Sequence, residues 1–298
     1  MAERVALPAP AKVNLALHVT GRRADGLHEL DTLAVFADIG DRVEIEEADE
    51  LTLSVTGPFA PHAPGDSTDL AWRAAVAFFE HAGRKPTAAI RVEKNIPAGA
   101  GLGGGSADAA AVLRGLNYSW RPDLPPSEVA ALSQKLGEGE LAAIAQSLGA
   151  DIPMCLHRFA LRARGTGERI ERIHGWSPLP LLLVWPGRTV STAAVFGALH
   201  RRENPPLPAS HVAWGPVEMA DLLAAYRNDL EEPALAIEPE IGEALMALRA
   251  ADDCLLARMS GSGSACFGLF PTLDAAEQAA SSLKVQKPAW WIAATTAR

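Results

Sequence analysis

The sequence predicts an α+β protein built as two lobes, and three observations carry that expectation. Strand-like and helix-like segments are grouped together in both halves of the chain, without the regular alternation that one parallel sheet would need. The 298 residues exceed one ordinary domain of about 100–200 residues. The composition, 48 % hydrophobic and 21 % charged, is that of a globular chain able to bury a sizeable core. The boundary is expected near residues 155–165, giving an N-terminal lobe, 1–160, and a C-terminal lobe, 161–298.

Residues 12–20 (KVNLALHVT) alternate with the period of a half-buried strand, as do Arg42 to Glu46 and Leu51 to Val55. Gly40-Asp41 stands between the first two as a turn would. Thr68-Asp69 opens a helix, LAWRAAVAFFEHA, that Gly83 stops. Ala88 to Glu93 alternates again. A glycine cluster, Gly99 to Gly105, then leads into SADAAAVLRGLN, an alanine-rich helix for which Ser106 is the expected N-cap. Two more helices are expected at Ser127 to Leu136 and Glu138 to Leu148.

The second half returns to strands at Phe159 to Ala163, Arg169 to Ile173 and Leu181 to Trp185, with Gly165 and Gly167 between the first two. A proline-rich loop, ENPPLP (203–208), precedes helical segments around 217–226 and 239–250. A strand (Cys254 to Met259), a small-residue loop (SGSGS, 260–264) and a strand (Ala265 to Phe270) follow. A helix at 273–283 and a strand at 289–294 complete the lobe.

The net charge of −9 counts against a nucleic-acid partner, which would require a basic face; the arginine pairs Arg22-Arg23 and Arg201-Arg202 read as solvated surface. No window approaches the ~18 consecutive apolar residues of a membrane span. The N-terminal MAERVALPAPAK has no apolar signal-peptide region, so a cytoplasmic location is expected. Cys155, Cys254 and Cys266 are odd in number and lack a CxxC spacing, which suits free thiols packed as small hydrophobes. Only six of the 27 basic residues are lysines, so a lysine in an unusual setting carries information.

PAGAGLGGGSADAA (97–110) is the most informative segment. Glycines before a helix N-terminus let the backbone approach a ligand with its N–H groups exposed, and the peptide dipoles there favour an anion such as a phosphate. The plain alternative is a glycine-rich turn packed on a neighbour. Gly99, Gly101 and Gly104 satisfy GxGxxG, yet the acidic residue about 20 positions on, Asp123, lies in a proline loop with no strand before it, so a dinucleotide fold is not supported. No lysine follows a glycine, which excludes a Walker A loop, and no GxSxG or protein-kinase signature is present.

Two further positions narrow the chemistry. Lys12 and Asn14 are two apart on a strand, hence on one face, with the lysine among apolar neighbours. Asp151 stands alone in the apolar stretch LGADIPMCL. Singly, Lys12 reads equally well as a snorkelling surface residue and Asp151 as a turn former before Pro153. A phosphate loop, a lone lysine and a lone aspartate together are the parts of a phosphotransfer site.

PAPAKVNLALHVTGRRADGLHELDTL (8–33), PAGAGLGGGSADAAAVLRGLN (97–117), LGADIPMCL (148–156), NDLE (228–231) and MSGSGSACFGLF (259–270) together resemble the GHMP small-molecule kinases, in order through nearly the whole chain. The first motif is similar to the branch that phosphorylates a cytidyl-methylerythritol diphosphate in non-mevalonate isoprenoid synthesis. The resemblance implies an N-terminal lobe like ribosomal protein S5 domain 2 and a ferredoxin-like C-terminal lobe. It implies transfer of the γ-phosphoryl of ATP to the 2-hydroxyl of the methylerythritol moiety, with Mg²⁺ expected alongside ATP. Asp151 would be the base and Lys12 would neutralise charge beside the hydroxyl. Pro97, Ala98, Gly99, Ala100, Gly101, Leu102, Gly103, Gly104, Gly105 and Ser106 would hold ATP; Asn14, Leu27, His28 and Phe196 would hold the substrate, with SGSGS bordering its pocket.

Two departures stand out. Where this kinase branch usually reads Gly-Tyr-His, this chain has Gly26-Leu27-His28, so one stacking ring for cytosine is replaced by an apolar side chain. Where other branches place a serine pair after GLG, this chain has Gly104-Gly105, so no metal ligand is assigned. Rival readings are a GHMP kinase acting on mevalonate, homoserine or a sugar, and a nucleotide-binding protein without turnover. The oligomeric state is not legible.

Overall fold

The computed structural model describes residues 4–119, 139–208 and 215–298. The expected helix at Ser127 to Leu136 lies outside the described residues. The chain forms two compact units that interleave along the sequence. One takes the residues up to Ala11, Ile39–Ala98 and Gly103–Arg158; the other takes Lys12–Asp38, Gly99–Leu102 and Phe159–Arg298.

Two long paired strands, β1 (Val5–Arg22) and β2 (His28–Glu47), contribute residues to both units. In the first unit, β3 (Thr52–Thr56) runs parallel to β4, and β4 pairs antiparallel with the end of β2, Val43 opposite Val92 and Ile45 opposite Ile90. Helix α1 (Leu70–His81) starts where the Asp69 carboxylate accepts the Ala71 amide at 2.9 Å. It buries Ala71, Ala74, Ala75, Phe78 and Phe79, an i, i+3, i+4 stripe facing the core. Strand β4 (Ala88–Glu93) buries Ala88, Ile90 and Val92, as its period of two demands. Helix α2 (Gly104–Ser119) is rich in buried alanines, and their small side chains let both α1 and a later helix pack against it. Helices α3 (Glu140–Leu148) and α4 (Ile152–His157) complete the unit.

In the second unit, β5 (Leu161–Gly165) pairs antiparallel with the start of β2 and with β6 (Arg169–Arg172). Then follow β7 (Leu179–Trp185), α5 (Thr192–Gly197), α6 (Pro216–Ala224), α7 (Glu231–Ile237), α8 (Glu240–Arg249), β8 (Leu256–Met259), β9 (Cys266–Leu269), α9 (Leu273–Gln286) and β10 (Trp291–Ala297). The order β10-β7-β9-β8, antiparallel throughout, with α8 and α9 as the connecting helices, is the ferredoxin-like β-α-β-β-α-β arrangement.

Two sequence expectations are corrected. Gly40-Asp41 is no turn, for β2 runs straight through it. The glycine is there because a Cβ would run into the Ala9 carbonyl oxygen and Pro10 Cα on β1, a close strand approach and not a chain reversal. Ser106 is no N-cap either. The helix begins at Gly104, with the Gly103 carbonyl accepting the Ala107 amide at 2.8 Å, so Ser106 sits inside the first turn. Cys155 and Cys266 are buried and Cys254 half-buried, all as free thiols. Among the described residues no helix is long and apolar enough to cross a membrane.

Candidate active site

The glycine loop is shaped by left-handed residues: Gly99, Gly101 and Gly103 have φ of 71°, 77° and 66°. At Gly101 a Cβ would lie 2.6 Å from the Gly263 carbonyl oxygen and 2.8 Å from that of Ser260, so the two small-residue loops meet backbone to backbone. The loop's carbonyls are drawn inward. Ala100 accepts the Ala265 amide and Leu102 the Lys12 amide, both at 2.8 Å, and Gly101 accepts the Ser260 hydroxyl at 3.3 Å. Amide donors are the polar groups such a loop has left for a ligand.

Within the first unit, the chain that leads to the loop is held by Asp41 of β2. Its Oδ1 accepts the amides of Asn95 and Ile96 at 2.5 and 3.0 Å, and its Oδ2 pairs with the Lys94 ammonium. Lys94 also donates to Asp108 Oδ2 of α2 at 2.5 Å. All three residues are 3 % exposed. Burial opposes the Lys94 charge, but the Asp108 and Asp41 carboxylates outweigh it and raise the lysine. Burial pushes Asp108 up to about 8, against the pull of Lys94.

Lys12 and Asn14 are each 2 % exposed, an unusual setting for a lysine and an amide. Asn14 donates from Nδ2 to the Thr32 hydroxyl at 2.8 Å, and its own amide donates to Ser260 Oγ at 3.1 Å. The second small-residue loop is buttressed by Asn228 of the NDLE segment, which donates to the carbonyls of Met259 at 2.9 Å and Gly261 at 2.8 Å. Arg258 braces the same region through the carbonyls of Leu15, Leu223 and Tyr226.

Asp151, in the first unit, occupies the N-cap position of α4, yet its side chain does not cap that helix. It is half-buried at the head of a six-residue helix that is otherwise fully buried. Arg114 of α2 anchors this helix, donating to the carbonyls of Cys155 and Pro8, each at 2.9 Å.

His28 and Phe196 are brought together in the second unit. Their rings stack with centroids 4.7 Å apart and planes 22° from parallel. The His28 Nε2 is buried without a hydrogen-bond partner, and burial, reinforced by Arg202 and Arg22, lowers its pKa and favours the neutral imidazole. Leu27 is not gathered in: its side chain is 55 % exposed.

Residues 69–158 match the family model of the GHMP kinases N terminal domain and residues 216–287 that of the GHMP kinases C terminal. The chain is 48 % identical over 288 residues to the 4-diphosphocytidyl-2-C-methyl-D-erythritol kinase of Cereibacter sphaeroides (strain ATCC 17025 / ATH 2.4.3), covering 95 % of this chain and 96 % of that relative. This chain belongs to that family of GHMP kinases. A crystal structure of a 4-(cytidine 5'-diphospho)-2C-methyl-D-erythritol kinase, 36 % identical, superposes with a TM-score of 0.78 over 98 % of this chain and 99 % of that one. The homoserine kinase of Cytophaga hutchinsonii superposes at 0.69 with 17 % identity, covering 99 % and 95 % of the two chains, a likeness of fold alone.

The sequence picks out the glycine loop, Lys12, Asp151 and His28 as candidates. It does not yield the Asp41–Lys94–Asp108 cluster, although Lys94 is one of the scarce lysines and directly precedes the loop. Nor does it yield Asn228 as a brace. Among the described residues no group of three or more His, Cys, Asp and Glu side chains is arranged to hold a metal ion.

Proposed function

We propose that this chain phosphorylates the 2-hydroxyl of 4-diphosphocytidyl-2-C-methyl-D-erythritol with ATP, yielding ADP and the 2-phosphate, in the cytoplasm and in non-mevalonate isoprenoid precursor synthesis. The observation that carries the substrate choice is the His28–Phe196 pair. A buried imidazole nitrogen without a partner, beside a flat apolar ring, suits a pyrimidine base that stacks through its face and hydrogen-bonds through its edge.

Phosphoryl transfer asks for positioning and charge stabilisation more than for covalent chemistry. Residues 97–106 offer amides and the start of α2 to the ATP phosphates, a contact worth about 0.3–1 kcal/mol, rising to about 2 where it is partly buried. Lys12 neutralises negative charge beside the reacting oxygen. Asp151 takes the hydroxyl proton as the new O–P bond forms and the bond from the γ-phosphorus to the ADP oxygen breaks. Asn14 helps to hold the acceptor. The protein offers no ligand cluster for Mg²⁺ among the described residues. Mg²⁺, where it accompanies ATP, would supply charge neutralisation at the phosphates.

The test is ADP release by the full-length chain, with the cytidyl substrate, homoserine and mevalonate assayed in parallel against ATP alone. Release that depends on the cytidyl substrate is expected. Release with homoserine or mevalonate only, or none above the ATP background, overturns the reading.

A further inference from the structure

Two arginine pairs, Arg22-Arg23 and Arg201-Arg202, read in the sequence as solvated surface, and the fold treats their members differently. Arg23 pairs with Asp25 at 3.1 Å, and Arg201 donates from Nε to the Glu203 carbonyl at 3.1 Å. Arg22 and Arg202 form no ion pair among the described residues, and Arg202 Nε is buried without a hydrogen-bond partner. Both charges act on His28, whose own Nε2 is also buried and unpartnered. All of these residues belong to the second unit.

The backbone fixes where the two arginines stand. Arg22 ends β1 and His28 starts β2. The reversal between them is closed by the Arg23 amide on the Leu27 carbonyl at 2.7 Å and the Gly26 amide on the Arg23 carbonyl at 3.0 Å. Arg22 lies back along this turn, its Nε 3.5 Å from the Gly26 carbonyl oxygen. Arg202 stands beyond α5, the helix of Phe196. Its loop is tied to β1, where Asn204 donates both its amide and its Nδ2 to the Val19 carbonyl at 3.1 Å. Burial and the two arginines favour the neutral His28 ring, so the guanidinium groups and not the imidazole carry the positive charge beside the stacked pair.

We propose that Arg202, assisted by Arg22, is a specificity-determining residue that binds the diphosphate arm of the cytidyl substrate, so that the pocket selects a pyrimidine nucleoside diphosphate over the free nucleoside. The proposal rests on the cytidyl reading above. One ribose separates the base from its first phosphate, so cations beside the base meet the anionic arm. A guanidinium fork matches two phosphate oxygens at once. The need is electrostatic as well. The chain carries a net charge of −9, which repels an anionic substrate unless local cations reverse the potential at its pocket. Arginines neutralised by carboxylates, such as Arg23 by Asp25 and Arg227 by Asp229, cannot do this.

Competition against the cytidyl substrate at saturating ATP, on the full-length protein, tests this with cytidine and cytidine diphosphate as probes. Wild-type protein should bind the diphosphate about tenfold or more tighter than cytidine, the effect of a hydrogen bond to a charged group. Arg202→Gln should lose most of that preference, while its affinity for cytidine stays within about twofold of the wild type. Arg202→Lys, which keeps the charge without the fork, should fall between the two. Equal weakening of both probes by Arg202→Gln would make the arginine a packing residue and overturns the proposal, as does a wild type that binds both probes alike. A wild-type preference that both variants retain in full also overturns it. Wild-type protein that neither probe inhibits overturns the cytidyl reading itself.

Discussion

The imidazole of His28 lies on the ring of Phe196, 4.7 Å between centroids and 22° from parallel. Phe196 thus covers one face of the imidazole, and its removal exposes that face. Stacking of a base on an aromatic ring is worth roughly 1–3 kcal/mol in single-stranded nucleic-acid complexes. Phe196→Ala should therefore raise KM for the cytidyl substrate by about tenfold or more, while KM for ATP stays put. An unchanged cytidyl KM would mean that the base binds elsewhere.

Leu27 precedes His28 and is 55 % exposed, so replacing it costs little in packing; surface changes of this kind usually stay within about 0.5 kcal/mol of stability. Leu27→Tyr restores the ring that the Gly-Tyr-His pattern of this branch carries and should lower KM for the cytidyl substrate. The comparison is steady-state kinetics at fixed ATP. A rise in cytidyl KM would show that the leucine already makes the better contact.

Legibility in the sequence follows the range of the forces involved. Helix α1 and strand β4 are readable because each carries its own signals, a capping Asp69 with an apolar stripe and a clean alternation. Helices α4 and α7, six and seven residues long, are too short to show a period, and α4 is anchored by Arg114 from elsewhere in the chain. In the site, the loop is legible because its chemistry is local. The Lys94 cluster is not, since its partners stand 53 and 14 positions away, and no local pattern links them. Gly40 misleads for the same reason: a glycine required by a crossing strand looks in sequence like one required by a turn.

Gly103 has a φ of 66°, a conformation that costs an ordinary residue roughly 1–2 kcal/mol and a β-branched one more. Gly103→Val should weaken ATP binding more than binding of the cytidyl substrate, because it disturbs the turn that aims the amides into α2. Separate titrations of the two ligands check this. Equal weakening, or loss of soluble protein, would assign the glycine to folding.

Asp151 heads α4 without spending its carboxylate on the helix cap. Asp151→Asn preserves shape and removes the proton acceptor, and general-base catalysis typically contributes about 10²–10⁴-fold. A fall in kcat of that order is expected, with KM for ATP little changed. A variant that keeps most of the wild-type kcat would remove Asp151 from the role of base.

His18 should make the protein acid-sensitive. It is 1 % exposed, its Nδ1 lies 2.9 Å from the Pro205 carbonyl oxygen, and its Nε2 lies 3.1 Å from the Arg227 amide nitrogen. Those partners require Nδ1 to donate and Nε2 to accept, which only the neutral ring can do. Burial lowers the pKa below the usual 6.5, with the Arg227 charge adding to the shift and the Pro205 carbonyl and the Asp229 and Asp31 carboxylates opposing it. Between the folded and unfolded values the unfolded chain binds more protons, so stability rises with pH across that interval. The contribution is fully present above 6.5 and is lost as pH falls from there through the lowered folded value. Thermal unfolding between about pH 7.5 and 5.5 should thus show Tm falling on acidification, with a free-energy slope from this group of at most about 1.4 kcal/mol per pH unit. His18→Gln, which can still donate and accept but does not titrate, should show the shallower slope. Equal slopes for the two proteins would rule out His18 as the group that senses acid.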